Sequence, residues 1–132
     1  MAIRFVGFTP GQIDGKDINP RHVQISGQAW SETNTLTSGT NIATDCDLSN
    51  VHEVTLAHNA TLDNPTNLKD GGTYIWIITQ DGTGSRTLAY GTSFKWPGGT
   101  APTLSTAIGS VDVISGVSDG TDIYCNITLD YQ

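Results

Sequence analysis

From Asn64 to Tyr124 the chain strings short apolar runs between glycine, proline and aspartate turn formers, and this punctuation limits the fold more than any other feature. Asp81-Gly82, Gly84, Gly98-Gly99 and Asp119-Gly120 break the chain too often for helices of ordinary length. Gly and Thr are abundant and only 14% of residues are charged, a balance that suits strands joined by tight turns. The predicted class is all-β.

Thr73 to Thr79 reads as a strand with Tyr74, Trp76 and Ile78 on one face and Ile75 and Ile77 on the other. A strand apolar on both sides is expected to be buried on both, within a sandwich or against another subunit. Gln80 to Ser85 supplies hairpin-type turn residues, which makes Arg86 to Tyr90 the expected antiparallel partner. Ser110 to Val117 and Thr121 to Tyr131 form a second hairpin across Ser118-Asp119-Gly120. In its last strand Ile123, Cys125, Ile127, Leu129 and Tyr131 alternate with Tyr124, Asn126, Thr128 and Asp130.

Upstream, Val51 to Ala57 and Ile42 to Cys46 read as strands, while Asn59 to Leu68, with Asn64-Pro65, reads as a loop. Val23, Ile25, Gly27 and Ala29 fall on one face of an alternating run. Residues 1 to 21 hold a short apolar run, Ile3, Phe5, Val6 and Phe8, then the turn-rich TPGQIDGKDINP. They form either an ordinary first strand or an arm that docks on its own domain or on a neighbouring subunit. The expected organisation is this arm (1–21) followed by one antiparallel β-sandwich of jelly-roll type (22–132), seven to nine strands in all.

With 132 residues the chain can bury one core, hiding roughly two thirds of its unfolded surface. A net charge of -7 gives little affinity for phosphate backbones, so nucleic acid is not an expected partner. No run approaches the roughly 20 apolar residues of a spanning helix, and Met-Ala-Ile-Arg-Phe begins no signal peptide. Synthesis in the cytoplasm is expected, with Cys46 and Cys125 read as buried thiols or as a late-forming disulfide.

A search for chemistry finds little. His22, His52 and His58 have no metal-ligand spacing; His52 and His58 read as solvated strand-edge residues, or as a pair that converges if Val51 to Ala57 bends. Asp112, Asp119 and Asp122 lack the ligand series of a calcium loop and read as turn caps. Gly82-Thr83-Gly84-Ser85 is explained by hairpin geometry, and the sequons at Asn59 and Asn126 are chance matches. No paired acid and base or placed nucleophile stands out, so neither enzyme activity nor a cofactor is expected. Phe94 and Trp96, beside Pro97 and Gly98-Gly99, form the most unusual aromatic cluster: a plug at the end of the domain, or a sugar-stacking or docking surface. Trp76 and Trp30 are further aromatics of that kind.

The succession NPTNLKDG, QDGTGSRTL, FKWPGG, PTLST and VSDGT resembles a module found at the ends of bacteriophage tail fibres and in other small phage virion proteins. The likeness covers roughly the C-terminal half. It implies a non-enzymatic virion structural protein, homotrimeric and exposed on the particle, whose partners are copies of itself and either the major capsid protein or tail proteins. Brevity, with no shaft or heptad region, favours a capsid decoration protein pinned by its arm. The module's usual company favours a tail-fibre tip that meets a host-surface glycan.

Overall fold

A computed structural model describes residues 26–132 of the chain. Ser31–Gln132 form a compact unit. Ile3, Phe5, Val6, Phe8 and the arm they belong to lie outside the described residues, as does His22. Ser26 to Trp30 hold no strand, although alternation predicts one through this stretch.

Nine strands are present among the described residues: β1 (Asn34–Thr35), β2 (Asn41–Ile42), β3 (Val51–Leu56), β4 (Ala60–Leu62), β5 (Asp70–Gln80), β6 (Leu88–Tyr90), β7 (Phe94–Lys95), β8 (Val111–Asp119) and β9 (Ile123–Tyr131). The only helical turn among them is a short 3-10 segment at Pro97–Gly99. The fold is thus nearly all-β. Its sheets, however, are not the antiparallel pair that the turn spacing predicts.

The strands β1, β3 and β5 lie parallel in a larger sheet, whereas β2, β4 and β6 lie parallel in a smaller one. The chain therefore alternates between sheets strand by strand and winds, each turn stacked on the last. After β6 the pattern changes. The β8–β9 hairpin extends the larger sheet antiparallel from β5, and β7 closes its far edge parallel to β9, giving the order β1-β3-β5-β8-β9-β7.

Inward residues of both sheets share one core. Tyr74, Trp76 and Ile78 of β5 and Val54 and Leu56 of β3 belong to the same cluster as Ile42, Leu62 and Leu88 of the smaller sheet. Trp76 is fully buried at its centre, donates from Nε1 to Thr44 Oγ1 at 3.1 Å, and meets Phe94 edge-on with ring centroids 5.3 Å apart. An indole N–H taken out of water costs free energy unless it is hydrogen-bonded, and for Trp76 Thr44 supplies the partner.

Loops that cross between sheets leave backbone groups without ladder partners, and short polar side chains satisfy them. Asn64 Oδ1 accepts from Ser93 N at 2.8 Å, Asn59 Oδ1 from Thr87 N at 3.1 Å, and Ser38 Oγ from Ala57 N at 2.9 Å. Side chains also bond across turns of the winding: Asn41 donates to Asp63 at 2.8 Å and Asn67 to Asp45 at 2.7 Å. The turns pack closely enough that a Cβ at Gly91 would run into Asn64.

Several expectations are corrected by these contacts. Arg86 to Tyr90 does not return antiparallel to Thr73–Thr79; Leu88–Tyr90 pairs parallel with β4 in the other sheet. The cause is Gln80, whose buried amide accepts from Arg86 N at 2.8 Å and donates to Arg86 O and Ser105 O, each at 2.9 Å. Those contacts occupy both backbone groups that Arg86 would offer to a hairpin ladder, so the chain crosses over instead. Ala60–Leu62, expected within a loop, is a strand. β5 is buried on one face only, with Ile75 and Ile77 half-buried on the other. A bulge between Thr128 and Tyr131, where Asp130 adopts φ 61°, turns Leu129 and Tyr131 out to 45% and 51% exposure. His52 is fully buried against Trp76, not solvated, with ring centroids 5.6 Å apart, and burial lowers its pKa; His58 is exposed.

Candidate functional site

Two concave features stand out on the described surface. The larger, about 430 Å³, lies over the first turn of the winding, where Leu36, Ala43 and Leu48 line it beside polar residues, of which Asn34, Asn41 and Asp45 already bond to His52, Asp63 and Asn67. Those three side chains are committed to the fold. The second is a groove of about 250 Å³ lined by Lys95, Trp96, Pro97, Tyr124, Cys125 and Asn126, at the β7 edge of the larger sheet. Here aromatic surface meets polar groups at the surface, the combination that small-molecule sites share.

One wall is Trp96. Its ring stacks on Phe94 with centroids 6.5 Å apart and an interplanar angle of 13°, and meets Tyr90 edge-on at 4.8 Å. Pro97 fixes the following turn, in which Gly99 N donates to Trp96 O at 2.9 Å. The indole is therefore held by packing and half-buried, with its Nε1 inside the protein, and the residue lines the groove. Tyr90, behind it, has its hydroxyl buried, and burial drives the pKa of that group upward.

Tyr124, which is 53% exposed on β9, lines the groove as well. Its hydroxyl donates to Asp119 Oδ2 at 3.0 Å. Asp119 is in turn fixed by the hairpin turn, since its Oδ1 accepts from Thr121 N at 2.9 Å and Asp122 N at 2.8 Å. Gly120 at φ 90° makes that turn available at no steric cost. The backbone donors hold the Asp119 carboxyl below its usual range, and bonding to that carboxylate raises the Tyr124 phenol. Lys95 completes the rim, donating to Thr92 O at 2.7 Å and lying 3.4 Å from Asp122.

Of the aromatics singled out in the sequence, only Trp96 reaches this groove. Phe94 is 5% exposed and supports the indole from below, Trp76 is fully buried, and Trp30 lies at the surface. Tyr124 escaped notice because the alternation of β9 places it with Asn126 and Thr128, among polar neighbours. A lone aromatic on the polar face was the available signal. Asp112 is buried, and its two oxygens accept from Ser105 N at 2.7 Å and Asp130 N at 2.9 Å. Cys46 and Cys125 are buried free thiols, and burial pushes the Cys125 thiol up to about 12.

Residues 34–123 match the family described as "Putative phage tail fibre C-terminal domain". The chain belongs to this family. It is accordingly a phage structural protein and a component of the virion. No curated protein and no solved structure matches it. The matched span takes in both sheets, Trp96 and the start of β9, and it ends at the threshold of Tyr124.

Proposed function

We propose that this chain forms the distal module of a tail fibre and that its Trp96–Tyr124 groove binds carbohydrate on the host surface. The observation carrying this reading is that Trp96 and Tyr124, each anchored by its own contacts, line one groove together with Lys95 and Asn126. Aromatic faces stack on the C–H surface of sugar rings at little entropic cost, because packing already holds Trp96 and a hydrogen bond already holds Tyr124. The Asn126 amide and the Lys95 ammonium supply donors, and the amide an acceptor, for sugar hydroxyls. The reading requires binding alone, with no bond made or broken.

The family match weighs toward the tail and away from the capsid decoration role that the chain's brevity favours. Titration calorimetry of the wild-type chain against polysaccharide purified from the host envelope tests the groove. Binding is expected, with at least a tenfold loss in Trp96→Ala and in Tyr124→Ala. Equal binding by wild type and both variants would remove the groove from recognition.

A further inference from the structure

We infer that the groove selects neutral sugars and turns away acidic ones, an inference that rests on the carbohydrate reading of that site. Register seats Lys95 beside Tyr124 in the β7–β9 pairing, and among the described residues Lys95 is the only charged one that lines the groove. Its ammonium is already engaged, donating to Thr92 O at 2.7 Å and lying 3.4 Å from Asp122 Oδ2. Tyr124 in turn brings in Asp119, whose Oδ2 accepts from the phenol at 3.0 Å. Asp70 on β5 is the cross-strand partner of Asp119, and both are exposed, so a further carboxylate stands at the same end of the sheet. Lys69, next to Asp70 in the chain, is engaged 2.8 Å from Asp47.

Three carboxylates thus face one ammonium around the groove, in a chain whose net charge is -7. Backbone donation from Asp122 and Thr121 keeps the Asp119 carboxyl below its usual range and therefore ionised at neutral pH. A sugar carboxylate or sulfate entering here meets like charge, while the one ammonium within reach is shared with Asp122. Discrimination then comes from repelling the wrong ligand as well as from contacts to the right one. Hydrogen bonding favours the same choice. Ionised carboxylates only accept, so these surroundings suit sugar hydroxyls, which donate, and an acidic sugar brings acceptors to a place already rich in them. Asn126 offers the same groove both a donor and an acceptor without charge.

Titration calorimetry of the wild-type chain against paired oligosaccharides provides the test: glucose, galactose and mannose oligomers beside the matching uronic acid oligomers, at about 20 mM and about 300 mM salt. Hexose oligomers are expected to bind about fivefold or more tighter than their uronate counterparts at the lower salt, with the ratio shrinking at the higher as charge is screened. Asp122→Asn removes one carboxylate and releases Lys95, so it should cut that ratio to about half. Should this variant fail to fold by circular dichroism, Asp70→Asn, at an exposed position, decides the matter by the same readout. Uronates that bind as tightly as hexoses, or a ratio unchanged in a folded variant, would overturn the inference and leave the groove as a sugar site. Should no oligomer of either series bind, the carbohydrate reading falls and this inference with it.

Discussion

The wound part of the molecule, β1 to β6, and the β8–β9 hairpin are both β structure, yet they are held by different means. The hairpin is local: nine-residue strands separated by one short turn, with Asp119 capping that turn through its own backbone neighbours. The wound part is assembled from strands as short as two or three residues, each partnered with a segment a full turn of the chain away. Such strands cannot persist alone. They depend on the shared core and on the Asn, Asp and Ser side chains that satisfy the crossing loops. The difference teaches that strand length is a poor guide to rigidity when the stabilising contacts lie between turns.

This contrast is open to a direct attack. Leu62 is fully buried in the three-residue β4, whereas Gly120 sits at φ 90° in the exposed hairpin turn. Leu62→Ala should cost about 2–5 kcal/mol, from lost burial and the cavity left behind. Gly120→Ala should cost only about 1–2 kcal/mol, the penalty of left-handed backbone for a residue with a Cβ. Urea unfolding of the two variants measures both. The reverse order would mean that the hairpin, and not the winding, carries the fold.

A smaller effect sharpens the same boundary, where β5 hands the chain across to the other sheet. Arg86 lies 2.8 Å from Asp81 and, with the turn's backbone donors, holds the Asp81 carboxyl at about 2, below the ordinary 3.8. A depressed carboxyl stabilises the fold above its unfolded pKa and loses that contribution as pH falls through the folded value. Wild type should therefore melt above Asp81→Asn at neutral pH, with the gap closing between about pH 4 and about pH 2. A gap that persists to pH 2 would show that Asp81 acts by geometry and not by charge.

How far the sequence discloses this molecule follows the same division. The β8–β9 hairpin is legible because alternation and an Asp-Gly turn are local signals, and β3 and β5 are legible from the apolar residues they carry. Parallel pairing is not, since alternation reads alike in parallel and antiparallel strands. Gln80 is the clearest case: nothing in its identity announces that its amide will occupy the backbone of Arg86 and send the chain into the other sheet. β4 is hidden because three residues beside Asn64-Pro65 have too little pattern to read. At the groove, Trp96 is conspicuous beside Pro97 and its glycines. Its partner Tyr124 arrives through the β7–β9 pairing, a contact that the chain order does not foretell.

We propose that this phage structural protein belongs to the tail and meets the host there. Immunogold electron microscopy of purified particles, with an antibody raised against the chain, tests it most directly. Gold confined to the distal ends of tail fibres is the predicted result; gold spread over the heads would contradict the account and restore the capsid decoration reading.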